Sequence, residues 1–402
     1  MKVLVVSQYF WPESFRIVEV VESLRELGCT ITVLTGQPNY PKGEVFPGYK
    51  SMGAGLQLHP SGYEIYRVPI VPRGKASATA LAANYLSFII TASICGSWLL
   101  RKHKFDVVFV YGTSPITQAI PAMLIAALKR AKLITWVQDL WPESLEATGF
   151  VRNQHILAIV RHVVQWIYSR CDLLLVQSEA FFPAVRAMSG NTPLQFHPNP
   201  GELAFQRANP SHPPALILEK SFNVVLAGNL GTVQGLETVL NCAECLQHLS
   251  DIHFVLVGSG SRSGWLEDEV ERRGLLNVRL PGRFEAAEMP YIFAQASVLL
   301  VTLTKNIFMA KTVPSKIQTY LAAGKPIIAS LDGEAARIVV DSGAGLACPA
   351  EDCQALTRAL LELRALPRDE LERMGEAGKA YYEEHFEPTR LAKKLLNIFS
   401  EA

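Results

Sequence analysis

Short, unbroken apolar runs recur along this chain, spaced to leave room for a helix after each, and the series occurs twice. Lys2–Ser7 reads KVLVVS, and Thr30–Thr35, Ile65–Val68, Val107–Tyr111, Leu133–Gln138 and Leu173–Gln177 follow in kind. Runs without polar alternation are the pattern of strands buried on both faces of a parallel sheet. A polar loop follows the first run, then a helix that Gly28 closes, so the first two strands make a βαβ unit with a right-handed crossover. After a proline-rich stretch the pattern restarts at Asn223–Ala227, His253–Val257, Asn277–Leu280, Val298–Leu303 and Ile327–Ser330. The 402 residues, 49% of them hydrophobic, suffice for two cores. The expected organisation is a doubly wound α/β domain over residues 1–192, a linker over 193–217, a second such domain over 218–380 and a C-terminal helix over 381–402. Residues 36–62, rich in Gly and Pro, read as a long irregular loop of the functional kind. Sheets of this type bind ligands outside the carboxyl ends of their strands, which points to a cleft between the two domains.

Composition removes several function classes. A net charge of +1 argues against a nucleic-acid partner. Seven scattered cysteines fit a reducing, cytoplasmic compartment, and Met1 leads straight into a strand, so no signal peptide is expected. Cys242 and Cys245 form a CxxC with no second pair nearby, which reads as core packing rather than zinc. Ala76–Leu100 carries no charge and is followed by Arg101, Lys102, His103 and Lys104. Its length would span a bilayer. It also holds Asn84, and the sheet strand that follows directly would be left on the wrong side by a true span. A buried or surface-docked helix is expected, with the basic cluster free to meet anionic lipid.

The densest chemistry lies in Lys311–Pro326, KTVPSKIQTYLAAGKP. Pro314 sits where a helix begins, and Ser315 and Lys316 follow in its first turn. Free backbone N–H groups, a hydroxyl and a lysine together make an anion site, here read as a seat for the phosphates of a nucleotide-linked substrate. The turn Gly228-Asn229-Leu230-Gly231 lets the backbone approach a phosphate closely. There is no GxGxxG, no GxxxxGK[ST] and no Asp-x-Asp pair, which speaks against dehydrogenase, P-loop and metal-diphosphate readings. Arg283, Lys311 and Lys316 are then the cations for a diphosphate. The first half also repeats a pattern: QYFWPES at 8–14 and QDLWPES at 138–144 each follow a strand. Strand-end loops bearing Trp, Glu and Asp suit a sugar, with aromatic faces for C–H surface and carboxylates for hydroxyls. Arg16 lies just past the first copy.

Together, SQYFWPE with its following Arg, TGQPNYPKG at 35–43, VQDLWPES at 137–144, AGNLGTVQGLE at 227–237 and VPSKIQTYLAAGKPII at 313–328 resemble the retaining glycosyltransferases of family 4. The resemblance spans essentially the whole chain and is nearest the bacterial polysaccharide branch of fucosamine and colanic-acid fucosyl-type transferases. It implies a GT-B fold: two Rossmann-like doubly wound domains facing a cleft, C-terminal helices crossing back to the first, acceptor on the first domain, nucleotide-sugar on the second, and no metal or other cofactor. Relatives carry two glutamates eight positions apart where this chain has Lys311 and Thr319, and a basic pair where it has Asn229 and Gln234.

The expected reaction is transfer of a sugar, such as N-acetyl-fucosamine or another 6-deoxy or amino sugar, from a UDP-linked donor with retention. The expected acceptor is a polyprenyl-diphosphate-linked sugar at the inner face of the cytoplasmic membrane. Asp139, Glu13 and Lys316 are the expected catalytic residues. Gly228, Asn229, Gly231, Arg283, Lys311, Ser315, Lys316 and Glu334 are expected at the nucleotide-sugar, and Arg16, Asn39, Tyr40, Trp141 and Glu143 at the acceptor. Two rival readings share the fold, a nucleotide-sugar 2-epimerase and a non-catalytic glycolipid- or partner-binding protein.

Overall fold

A computed structural model describes residues 1–74, 77–147, 151, 153–206 and 215–402. It divides into one unit of Met1–Asn199 with Pro388–Ala402 and a second of Pro200–Glu387. The first is built on eight strands: β1 (Lys2–Val6), β2 (Thr30–Thr35), β3 (Gly55–Leu58), β4 (Glu64–Arg67), β5 (Val107–Gly112), β6 (Lys132–Val137), β7 (Leu173–Val176) and β8 (Leu194–Phe196). Their order is β3-β4-β2-β1-β5-β6-β7-β8, parallel except at the antiparallel β3–β4 edge. β1 explains its own apolar run. Leu4 and Val6 feed a core with Phe88, Ile116 and Val164, while Val3 and Val5 feed the opposite face with Ile17, Trp136 and Phe399.

That second face is completed by the C-terminal helix Pro388–Glu401. It buries Leu395, Ile398 and Phe399, and the Phe399 ring meets Phe109 at 5.1 Å. Each such side chain contributes about 1.5–3 kcal/mol of burial. The expected start of this helix at 381 is corrected. Helix Arg368–His385 belongs to the second unit, and Pro388, which lacks an N–H and disfavours helix in the residue before it, opens a separate helix.

Three short strands escape a reading based on apolar runs. β3 lies inside the stretch expected to be wholly irregular; it is an edge strand whose Leu56 and Leu58 face solvent while Gln57 turns inward. β8 pairs with β7 inside the expected linker, the rest of which includes residues 207–214, outside the described ones. β14 (Gly345–Cys348) reads Gly-Leu-Ala-Cys, small because a side chain at Gly345 would stand 1.8 Å from the carbonyl oxygen of Ile327. β14 closes a six-stranded parallel sheet with β9 (Phe222–Asn229), β10 (Ile252–Ser259), β11 (Val278–Gly282), β12 (Val298–Thr302) and β13 (Ile327–Ser330), ordered β11-β10-β9-β12-β13-β14.

The uncharged segment is a helix, Ala78–Thr91, continued through a π-turn at Ala92–Gly96 and on to Leu99. It lies between β4 and β5 of one sheet. Asn84, Phe88, Ala92 and Gly96 recur every fourth residue and are buried. A side chain at Gly96 would stand 2.9 Å from Leu34 Cδ2, so glycine there is what lets the helix lie against β2.

Candidate active site

In the second unit the carboxyl ends of β9, β12 and β13 are adjacent and carry three loops. Near the end of β9, Gly228 takes φ 118°, and Gly258 of β10 takes φ 142°. A side chain at Gly258 would stand 1.9 Å from the Gly228 carbonyl oxygen, so two backbones pass where only glycine fits. Tyr320, from helix Ser315–Ala323, fixes this turn from below: its buried hydroxyl accepts from Ala227 N–H at 2.8 Å. Lys316, one helical turn earlier, is half-buried and donates from Nζ to Gln234 Oε1. Its Cε would stand 3.1 Å from a side chain at Gly228, so the ammonium lies over the glycine turn. Burial lowers its pKa to about 8, and among the described residues no carboxylate pairs with it.

Pro314 ends in extended backbone ahead of the helix, and the first bond, from Ile317 N–H to Pro314 O at 2.9 Å, leaves Ser315 and Lys316 to open the N-terminus. Ser315 is exposed, and Thr319 donates its hydroxyl back to Ser315 O at 3.0 Å. Lys311 closes the turn Met309–Lys311, which packs on the N-terminus of helix Glu334–Asp341: a side chain at Gly333 would stand 2.0 Å from Ala310 O. Glu334 is held by Arg337 of its own helix at 2.5 Å. Asn229 is exposed beside Gly231. Arg283 is exposed beyond β11, two strands from β9. The structure thus gathers Gly228, Asn229, Gly231, Ser315 and Lys316, sets the Lys311 turn against the helix start that carries Glu334, and leaves Arg283 at the sheet edge.

In the first unit the repeated motif is built differently from the sugar surface expected of it. Glu13 is 3% exposed, and its carboxylate accepts from the backbone of Phe10 at 3.0 Å and of Asn39 and Tyr40 at 2.7 Å each. Burial pushes its pKa up to about 7 against the pull of these N–H groups and of Arg67. Glu13 is therefore a clamp between the β1 and β2 loops, not a group offered to substrate, because its oxygens are already used. Asn39 is corrected likewise: it is fully buried, donating to Gln37 O and accepting from Arg73 N–H. Trp141 is 4% exposed and donates from Nε1 to Ser114 Oγ at 2.9 Å, so its faces are core and not a stacking platform. Glu143 opens a short helix and is half-buried.

Asp139 keeps its expected place at the end of β6. One carboxylate oxygen accepts from Ser114 N–H at 2.7 Å, and burial raises its pKa above the ordinary carboxylate range. Tyr111 at the end of β5 lies within electrostatic reach of both Arg16 and Asp139, and Tyr85 within reach of Arg73 and Asp139. Arg16 also pairs with Glu19 at 2.8 Å. Arg73, which the motifs do not flag, lies 5.5 Å from the Tyr9 ring and 4.9 Å from the Tyr40 ring. Phe15 stacks on Tyr9 at 5.6 Å and meets Tyr40 at 5.1 Å. Arg73 thus lies on an aromatic floor, and Tyr85 links it electrostatically to the buried Asp139.

Comparison with known proteins gives this edge its context. The glycosyl transferase 4-like domain model matches residues 14–200, and the glycosyl transferases group 1 model matches residues 221–365. The chain thus joins a glycosyl transferase 4-like domain to a glycosyl transferases group 1 domain. This glycosyltransferase is 28% identical over 313 residues to WbjE of Pseudomonas aeruginosa, named as a glycosyltransferase, with 75% of each chain covered. It is 24% identical over 340 residues to WcaI of Escherichia coli, named as a colanic acid biosynthesis glycosyl transferase, covering 81% of this chain and 82% of that one. Among solved structures it resembles sucrose-phosphate synthase of Thermosynechococcus elongatus, with TM-score 0.70, 17% identity and coverage of 100% and 98%. It also resembles Anabaena Alr3699/HepE in complex with UDP, with TM-score 0.69, 14% identity and both chains fully covered. These likenesses establish the GT-B fold of the transferase.

Proposed function

We propose that this glycosyltransferase moves a sugar from a UDP-linked donor to a lipid-linked sugar acceptor in bacterial surface polysaccharide synthesis, keeping the anomeric configuration. The observation that carries the donor half is Lys316, a half-buried ammonium over a glycine turn, hydrogen-bonded to a neutral amide. A cation held that way has its charge left over for an incoming anion. The complex of HepE with UDP supports a uridine nucleotide, and the names of WbjE and WcaI support the polysaccharide setting.

In this reading the bond from the anomeric carbon to the β-phosphate oxygen breaks, and its electron pair leaves with UDP. The acceptor oxygen bonds to the same face of the carbon, and its proton passes to the departing phosphate oxygen, so no protein nucleophile is needed. Lys316, the Ser315 turn and the backbone of Gly228–Gly231 stabilise the charge that develops, with Lys311 as an outer cation. Neutralisation thus falls to side chains and backbone dipoles rather than to a metal ion. Asp139 orients the acceptor hydroxyl, with Arg16, Tyr40 and Arg73 around it. Thr319 offers no carboxylate to the donor, which fits a 6-deoxy or amino sugar with fewer hydroxyls to satisfy. A panel of UDP-sugars with a lipid-linked acceptor mimic, read by mass spectrometry, tests the reaction, and the anomeric proton coupling of the product tests retention. Lys316→Ala should abolish turnover; unchanged kinetics would refute the phosphate assignment.

A further inference from the structure

The helical stretch Ala78–Leu99 is long and apolar enough to cross a membrane by length and composition, yet one face of it packs into a sheet-built core. Its other face is what needs explaining. Leu86, Ile90, Ile94 and Trp98 are 58%, 55%, 67% and 61% exposed. They recur every fourth residue, two positions out of step with the buried Asn84, Phe88, Ala92 and Gly96, which sets them on the opposite side of the helix. Leu124 and Leu128 of helix Ala119–Lys129 and Trp166 of helix Gln154–Tyr168 are exposed as well. A cavity of about 630 Å³ opens among these helices, bounded by Ser93, Ile120, Leu124, Trp166, Arg130 and Arg170. Soluble surfaces rarely leave so much contiguous apolar area uncovered.

Charge says what covers it. Between residues 77 and 138 the charged residues are Arg101, Lys102, Lys104, Lys129, Arg130 and Lys132 against one acid, Asp106, although the whole chain is nearly neutral. Lys129 Nζ donates to Arg101 O at 3.0 Å, so the basic ends of two helices meet at one corner. Arg101 lies over the Trp98 ring at 4.0 Å, at the end of the apolar stripe. An apolar stripe that ends in an aromatic ring and a basic corner matches the layering of a bilayer surface, with acyl chains below and anionic headgroups above.

We propose that this face is the docking surface for an anionic lipid bilayer, with the Leu86–Trp98 stripe in the acyl boundary and the Arg101–Lys104 and Lys129–Arg130 corner among the headgroups. It deepens the lipid-linked acceptor reading and rests on it for its purpose, though its geometry stands without it. The test is vesicle flotation of the full chain with phosphatidylglycerol-containing vesicles, phosphatidylcholine vesicles and an Ile90→Glu/Ile94→Glu variant, with UDP calorimetry run alongside. The expected result is at least about tenfold more recovery on anionic than on zwitterionic vesicles, release at high salt, and at least about tenfold loss in the variant while UDP binding is unchanged. Equal flotation by wild type and variant, or none by either, would overturn the proposal. So would a solution dimer that the substitution dissociates without any flotation, which would assign the face to a second copy. A second pair, Arg101→Glu/Lys102→Glu, keeps the test open if the first variant misfolds. Loss of UDP binding in the wild type would instead count against the transferase reading and leave the docking result intact.

Discussion

Replacing Lys316 by Met separates function from stability in one substitution. A diphosphate about 4 Å from an ammonium, at an effective dielectric of about 20, gains about 4 kcal/mol. The loss predicts UDP binding weaker by about three decades. Stability should move the other way. Burial brings the lysine pKa from 10.5 to about 8, which corresponds to about 3 kcal/mol spent holding a charge in the fold at neutral pH. Met removes that penalty and keeps the length of the side chain, but leaves Gln234 Oε1 without its donor, at about 1 kcal/mol. The net is a variant more stable by about 2 kcal/mol, a Tm rise of about 4 °C for a domain of this size.

The pH dependence follows with a definite sign. The folded pKa is depressed, so the native state binds fewer protons than the unfolded chain between about 8 and 10.5, and wild-type stability rises relative to Lys316→Met across that window. Binding runs opposite: the charged fraction falls about tenfold from about pH 7 to pH 9, and the Kd for UDP, whose phosphates are already ionised there, should rise by about the same factor. Calorimetry at several pH values and thermal unfolding of both proteins read the two arms. A wild-type Kd flat over that range, or a Met variant that binds UDP within about threefold of wild type, would refute the reasoning.

Asp139→Asn keeps an oxygen for the Ser114 N–H but loses the charge; kcat should fall about 100-fold with UDP affinity unchanged, measured by single-donor transfer assays. Glu13→Ala orphans three backbone N–H groups and should cost about 3 kcal/mol in urea unfolding of the first unit while UDP binding to the second stays intact. Tyr320→Phe leaves the buried Ala227 N–H without its acceptor, costing about 1–3 kcal/mol and loosening the glycine turn, visible as lower Tm and weaker UDP binding. Gly258→Ala should abolish UDP binding outright, since its new methyl would overlap the Gly228 carbonyl.

What the sequence could reveal tracked the physics behind each signal. Strands buried on both faces announce themselves, so β1, β5 and β12 were legible as apolar runs, whereas β3, β8 and β14 were not, being an edge, a three-residue strand and a run of small residues. The helix start at Pro314, Ser315 and Lys316 was legible because these residues are adjacent in the chain and proline suits the opening of a helix. The repeated QxxWPES loops were visible as a pattern, but the burial of Glu13 and Trp141 within them was not. Residue type does not tell whether a carboxylate points to solvent or, like Glu13, back at three amides. Arg73 and Tyr9 were invisible as partners because 64 positions separate them, and only the β1 and β4 loops bring the guanidinium over the ring.

The fourteen residues of helix Pro388–Glu401 complete the core that β1 begins. During synthesis the segment Pro200–Glu387, contiguous in the chain, can close while the first unit still lacks Leu395, Ile398 and Phe399. The first unit is discontinuous in the chain, unlike a domain that can close in order of synthesis. β1 therefore depends for its cover on a helix that follows the whole second unit in the chain, and until that helix is made the first unit keeps an open apolar face.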